Sequence, residues 1–421
     1  MPKTISETII AASERETVLI DRVGAQGDGV TGGANGPRFV PFTLAGERVL
    51  ASFAGERGRL DTVLESSPDR IAAVCRHFGH CGGCALQHMK SELYSEWKRE
   101  QVAAAFRSRG IEADVSAVVR PQGKRRRAVL SGRRTTNGLQ LGFHEGQSHD
   151  LVDIAECPVL DPRIVTALAG LKTLLEPLVS RKGEARLTVT MTAAGLDVTI
   201  EDIERALSPV VRSGLARDAA KMGCARVSID TEPIYEALIP FLIFGTAEVA
   251  LPPGVFIQAM GEAEQAMAGL ILAGLGKVKS AVDLFAGIGA FTFPISGRAK
   301  VLAIDSDKVA ITALAAGVKK ATGLKPITTL VRDLFREPLS ALELNEHDAI
   351  VFDPPRAGAE AQSKMIAKSK VKTVVAVSCN PATLARDSRS LIDGGYKIES
   401  ITPVDQFLYS PHIEVVAVFR R

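Results

Sequence analysis

The chain has 421 residues, 46% of them apolar and 24% charged, with a net charge of +3 and no low-complexity tract. That length predicts two or three domains, and the composition excludes a disordered or collagen-like chain. No apolar run approaches the roughly 18 residues of a membrane span, and the opening MPKTISETII lacks the basic-then-apolar layout of a signal peptide, so a cytoplasmic protein with no membrane partner is expected.

Residues 16 to 65 read as short strands broken by glycines, the spacing of a small β-barrel. Such barrels often bind oligonucleotides. Cys75, Cys81 and Cys84 follow in a C-x5-C-x2-C arrangement, and Cys157 in AECPVL supplies a distant fourth sulfur. In a reducing compartment a cluster like this more often binds metal than forms disulfides. Four thiolates suit zinc or an iron-sulfur cluster, and Cys75, Cys81, Cys84 and His88 would make a local Cys3His zinc site. Cys224, in MGCARVSID, reads as a core residue.

Residues 89 to 109 are predicted to form an amphipathic helix ending at Gly110, with Leu93, Trp97, Val102, Ala105 and Phe106 on its buried side. Residues 98 to 134 carry eleven Lys or Arg against Glu100, Glu112 and Asp114, a local charge of +8. Within that stretch KRRRAVLSGRR alternates with strand formers. It could therefore line guanidinium groups, those of Arg125, Arg126 and Arg127 among them, along one face of a hairpin toward a phosphate backbone.

A mixed segment runs to about residue 250. From residue 278 the pattern becomes strand, loop, helix, repeated: KSAVDLF, KVLAID, PITTLV, HDAIVFD and KTVVAVS are short apolar runs, most followed by helix-like segments. This predicts an α/β fold with a mostly parallel sheet covered on both faces. The final YKIESITPVDQF and HIEVVAVFRR read as two more strands joined tightly enough that one runs antiparallel to its neighbour.

The first of these strands ends in DLFAGIGAFTF, where Gly287 and Gly289 allow a tight turn and close approach of the backbone to a ligand. The third small residue of a dinucleotide fingerprint falls at Thr292, and Asp283 precedes the loop where a pyrophosphate would sit. Both count against NAD. They suit a cofactor bearing an ammonium and a sulfonium, with Asp305 of AIDSD accepting hydrogen bonds from both ribose hydroxyls and Asp333 of LVRDLF reaching the adenine amino group. In FDPPR two prolines stiffen the loop and restrict Asp353 before them. In AVSCNPATLARD a lone cysteine, Cys379, stands at a strand's carboxyl end, where open α/β sheets keep their chemistry.

The last third of the chain thus resembles the S-adenosylmethionine-dependent methyltransferase fold. More narrowly, DLFAGIGAF, DPPRAG, SCNPATLARD and DQFLYSPHIEVVAVFRR, in that order, resemble the RNA uracil-5 methyltransferase family. The likeness extends upstream through GVFIQAM, LGFHEGQSHDLVDIAECPVL and CRHFGHCGGCALQH and covers most of residues 15 to 421. It implies a TRAM-like RNA-binding β-barrel over residues 1–66. A mixed α+β central domain with the cysteine and basic segments follows over 67–250, and a catalytic domain over 251–421.

Carbon 5 of uracil is too weak a nucleophile to accept a methyl group unaided. A thiolate adding at carbon 6 turns the ring into an enolate that can, and a base must later remove the carbon-5 proton. On the family pattern Cys379 is the nucleophile and Glu414, in SPHIEVV, the base, with His412 as the alternative. The resemblance also gives Gln258 and Phe285 to the cofactor, S-adenosylmethionine, alongside Gly287, Asp305, Asp333 and Asp353. It implies a [4Fe-4S] cluster on Cys75, Cys81, Cys84 and Cys157. Two positions depart from the pattern: Met260 where the family usually carries Asn, and Asp305 where it often carries Glu. The expected substrate is a uridine of 23S rRNA, with a tRNA T-loop uridine as the alternative, and the expected enzyme is a monomer that does not act on DNA. An amino-group methyltransferase would carry an aromatic residue after DPP, where this chain has Arg356. An iron-sulfur RNA-binding protein without turnover is the reading from another class.

Overall fold

A computed structural model describes residues 14–33, 36–136, 138–181, 183–203 and 207–421. The opening MPKTISETII lies outside them. Among the described residues no helix is long and apolar enough to cross a membrane. The described residues divide into two compact units: those within 1–98, 144–150 and 407–411 form one, and those within 99–143, 151–406 and 412–421 the other.

In the first unit a six-stranded sheet has the order Glu14–Leu19, Arg48–Ala54, Arg57–Glu65, Arg38–Val40, Gly29–Thr31, Arg22–Val23. Val18, Ile20, Val40, Val49, Ala51 and Phe53 form its core. Beyond it the chain from residue 67 to 90 is built of turns and isolated bridges, Arg70 to Met89 and Cys81 to Glu145. Buried Glu47 organises the start of this stretch by accepting from Leu44 N at 2.8 Å, Ser67 N at 3.2 Å and Arg70 Nε at 2.5 Å. The predicted helix spans Ser91–Arg107 and buries Tyr94, Trp97, Val102 and Phe106. It stops where Gly110 takes a left-handed φ of 66°.

The second unit holds two seven-stranded sheets. In the central one, Arg127–Thr135 lies between Glu184–Thr192 and Gly138–His144. Helices Pro162–Leu175 and Pro209–Lys221 bury Leu168, Leu171, Leu174 and Leu215 in its core. Pro at each first helical turn and the caps Asp161 and Ser208 start these helices.

The other sheet has the order Ile327–Val331, Lys300–Asp305, Ser280–Leu284, Ala349–Phe352, Thr373–Ser378, Glu414–Arg420, Lys397–Val404. Its first five strands are parallel, and Glu414–Arg420 runs antiparallel to both neighbours. Both faces are buried, which is why its strands read as unbroken apolar runs. Alternation then sorts them. Val282, Leu284, Ile350, Phe352, Val374, Ala376, Val415 and Ala417 face one core. Ala281, Ala349, Val351, Val375, Val377, Val416 and Val418 face the other, beneath helix Gly261–Leu275.

Candidate active site

That alternation has a chemical consequence. Asp283 and Glu414 fall on the same parity as Ala281 and Val416, and Asp353 and Cys379 continue the parity of Val351 and Val377 one residue past their strands. A period of two therefore sends four reactive side chains to one face. It is the face covered by helix Gly261–Leu275, whose lead-in segment carries Gln258.

Side-chain hydrogen bonds join that group. Gln258 Nε2 donates to Asp353 Oδ2 at 3.0 Å, and Gln406 Nε2 donates both to Gln258 Oε1 at 2.8 Å and to Glu414 Oε1 at 3.2 Å. Gln406 Oε1 and Glu414 Oε2 are buried with no hydrogen-bond partner. Burial, reinforced by Asp353, pushes the Glu414 carboxyl well above the usual carboxylate range, against the pull of the Gln406 amide. Burial and the charge of Asp283 likewise push Asp353 up to about 7, opposed by Gln258.

Cys379 sits in a tight turn. Asn380 N donates to Ser378 Oγ at 3.1 Å, and the Asn380 side chain caps helix Pro381–Asp393 by accepting from Ala382 N at 3.1 Å. The Asn380 Nδ2 and Thr383 Oγ1 groups donate to the carbonyl of Arg356, at 3.0 and 3.3 Å, and so tie the cysteine turn to the DPPR loop. Burial, then the charges of Glu414 and Asp353, push the Cys379 thiol up to about 11, while Arg356 pulls it down. The N-terminus of the following helix also favours a thiolate.

At the other end of the same sheet edge, Asp305 Oδ2 accepts from Gly287 N at 2.9 Å and Oδ1 from Asp307 N at 2.8 Å. Each oxygen keeps a lone pair for a ribose hydroxyl. Gly287 has a φ of 54°, and a Cβ there would point into open space. Phe285 holds a φ of 63°, a strained value for a residue with a side chain. Its ring lies 5.5 Å from that of Phe335. Asp333 accepts from Phe335 N at 3.0 Å and Arg336 N at 3.3 Å. Asp283 is fully buried, receives the Thr292 hydroxyl at 2.6 Å and is raised to about 7 by desolvation; its Oδ1 has no hydrogen-bond partner. An open glycine loop between carboxylates fits a sulfonium-bearing nucleoside.

A family model of tRNA (uracil-5-)-methyltransferases matches residues 250–421. An uncharacterized RNA methyltransferase of Brucella suis is 45% identical, over 98% of this chain and 99% of its own. A 23S rRNA (uracil(1939)-C(5))-methyltransferase of Halomonas elongata is 31% identical, over 96% of this chain and 89% of its own. The chain belongs to the RNA uracil-5 methyltransferase family. The fold agrees with this: the crystal structure of the tRNA (uracil-54, C5)-methyltransferase of Pyrococcus abyssi, with S-adenosyl-L-homocysteine, aligns at a TM-score of 0.75 over 96% of this chain and 99% of that one, at 23% identity.

For a uracil-5 methyltransferase the structure adds two residues that sequence reasoning missed. Gln406 bridges Gln258 and Glu414, and its only signal was a polar residue two positions past strand Lys397–Val404. Phe335 stands beside Phe285, two residues after Asp333. The basic run is also spent differently from the expectation. Arg126, read as an RNA contact, gives its guanidinium to Glu264 Oε2 at 2.6 Å and to the Gln258 carbonyl at 3.2 Å. Arg133 pairs with Glu184 and Arg134 with Glu176. Arg127 is half-buried with its guanidinium 5.9 Å over the exposed Phe256 ring, and the half-buried Arg125 pairs through its backbone with Val159 and Asp161. Met260 is buried at the N-cap of helix Gly261–Leu275 and supplies no side-chain cap bond. Cys75, Cys81 and Cys84 are half-buried in the first unit and Cys157 is half-buried in the second. Among the described residues no group of three or more His, Cys, Asp or Glu side chains is arranged to hold a metal ion.

Proposed function

We propose that this RNA uracil-5 methyltransferase methylates a uridine of 23S rRNA through a covalent bond between Cys379 and carbon 6 of the base. The observation that carries this reading is the placement of Cys379 at the carboxyl end of strand Thr373–Ser378, within the fields of Glu414, Asp353 and Arg356. S-adenosylmethionine supplies an electrophilic methyl group when bound. Gln258, Phe285, Gly287, Asp305, Asp333 and Asp353 are the residues that would hold it.

Cys379 adds to carbon 6 as the thiolate and makes carbon 5 nucleophilic toward the methyl group. Arg356 and the helix N-terminus favour that ionised form. Glu414 then takes the carbon-5 proton through its unpartnered Oε2, and the bond from Cys379 to carbon 6 breaks. A carboxylate raised by burial is the stronger base for this step.

The choice of 23S rRNA follows the name of the Halomonas relative, and a tRNA uridine is the second reading because the matching family model is named for tRNA. Mapping 5-methyluridine by mass spectrometry in rRNA and tRNA, from cells with and without the gene, decides between them. Loss of one 23S site supports the reading, and loss confined to tRNA overturns it.

The first sheet would act as a TRAM-like RNA-binding barrel. The RNA-binding reading keeps Arg125 and Arg127 and drops Arg126, whose guanidinium goes to Glu264. A [4Fe-4S] cluster on Cys75, Cys81, Cys84 and Cys157 rests on the kind and number of ligands alone, because no metal-holding group is gathered among the described residues. No step of the transfer passes through it. Iron and sulfide near four each per chain in anaerobically purified protein support the cluster, and stoichiometric zinc in colourless protein removes it.

A further inference from the structure

Arg126 lies in the middle of the most basic stretch of the chain, yet its side chain is only 16% exposed and that of its partner Glu264 only 6%. Its Nη2 donates to Glu264 Oε2 at 2.6 Å, its Nε to the Gln258 carbonyl at 3.2 Å and its backbone N to the Ala259 carbonyl at 2.8 Å. Its own carbonyl accepts from Met191 N at 2.7 Å, and Met191 belongs to strand Glu184–Thr192 of the central sheet. The approach is close at two further points. A Cβ on Gly123 would meet the Glu262 carboxylate at 2.1 Å, and a Cβ on Gly261 would stand 3.2 Å from Arg126 Nη1. Helix Gly261–Leu275 meanwhile starts at Met260 with no side-chain cap. A helix start that lacks its own cap is therefore held from outside, by a guanidinium that binds one residue of the first helical turns and the carbonyl two positions before the cap.

We propose that Arg126, with Glu264, is a positioning pair for the methyl-donor site. It fixes the backbone of residues 258 and 259, and that backbone sets the Gln258 amide between Asp353 and Gln406. The inference rests on the reading of Gln258 as a ligand of S-adenosylmethionine. It makes the central sheet part of the donor site's support, and it removes Arg126 from the RNA-binding surface. Arginine suits the task because its planar fork serves the carboxylate and the carbonyl together, which a lysine ammonium cannot do in the same geometry.

Arg126→Met alone would strand a buried carboxylate, so the decisive variants are Arg126→Lys, which keeps the charge, and Arg126→Met/Glu264→Met, which replaces the pair by apolar groups. For each, S-adenosylmethionine binding is measured by calorimetry, RNA binding across a salt series, and amide hydrogen exchange on the unliganded protein. The expected result is a folded protein in which the Kd for S-adenosylmethionine rises about tenfold, as one lost well-placed hydrogen bond to a charged donor predicts. Exchange of a peptide spanning residues 255–264 should quicken, and the RNA salt slope should stay unchanged. A slope shallower by about 0.7 to 0.9, with S-adenosylmethionine affinity intact, would mean that Arg126 touches a phosphate and overturns the proposal. Unchanged affinity and unchanged exchange overturn it as well, since the pair would then only fill space. Wild-type protein that gives no heat with S-adenosylmethionine refutes the donor-site reading itself and the inference with it.

Discussion

Asp305 and Asp333, on the first half of the methyltransferase sheet, take their hydrogen bonds from backbone N–H groups: Gly287 and Asp307 for one, Phe335 and Arg336 for the other. Asp353 and Glu414, on the second half, take theirs from the side-chain amides of Gln258 and Gln406. Backbone donors fix a carboxylate and leave it acceptor capacity for neutral hydroxyls, which is what binding a ribose requires. Glutamine donors in a desolvated pocket leave a carboxyl close to taking up a proton, and both members of the second pair are raised, Asp353 to about 7. On the proposed reading, Asp305 and Asp333 on one half of the sheet hold the methyl donor, while Glu414 on the other moves a proton, with Asp353 beside it also serving the donor.

The largest effect expected from breaking this division comes at Cys379. Cys379→Ala should lower methyl transfer by roughly 10^4-fold or more, the scale of losing a covalent nucleophile, while S-adenosylmethionine binding measured by calorimetry stays within about twofold of wild type. Appreciable turnover in this variant would end the covalent account.

Next comes the glutamine that joins Gln258 to Glu414. Gln406→Leu leaves Glu414 and Gln258 each short of a donor, so single-turnover release of product should slow by about a hundredfold, as for a displaced catalytic group. The loss of a buried donor should also cost about 1–3 kcal/mol of stability by urea denaturation. A variant that loses stability but keeps the release rate would show Gln406 to be packing alone.

On the holding half the effect should be smaller and confined to the donor. Asp305→Asn keeps an acceptor but loses the charge, so the Kd for S-adenosylmethionine should rise about tenfold, with RNA affinity and kcat at saturation preserved. Equal losses for both ligands would indicate a misfolded loop instead.

These two halves were not equally legible in the sequence. Asp305 and Asp333 announced themselves as acids closing β-branched strands, because their partners are backbone groups that any sequence supplies. Cys379 was visible for the same reason: a strand end followed by Asn-Pro. Gln406 was not, because its partner Gln258 lies 148 residues away and only the folded sheet brings them together. The common face of Asp283, Asp353, Cys379 and Glu414 was hidden too, since strand parity matters only once the register is known. Arg126 misled for a complementary reason. Charge density marks a stretch as basic, but it does not say which guanidinium turns inward to a buried Glu264.

The smallest expected effect is a shift in pH dependence. Burial raises the Cys379 thiol to about 11, with the negative charges of Glu414 and Asp353 adding to it, so addition should speed up as pH rises through neutrality. Removing one of those charges lowers the thiol pKa, and the rise should therefore come at lower pH in Glu414→Gln than in wild type. Quenched-flow measurement of adduct formation at several pH values checks the sign, and a shift to higher pH would contradict the electrostatics described.

The same variant gives the most direct test of the central claim, that Cys379 adds before the methyl group moves and Glu414 acts after it. Glu414→Gln is incubated with RNA and S-adenosylmethionine carrying a labelled methyl group, and the products are resolved by denaturing electrophoresis. The account predicts a protein–RNA adduct that carries the label and is absent from the Cys379→Ala/Glu414→Gln double variant. Turnover near the wild-type rate, or an adduct without the methyl group, would contradict it.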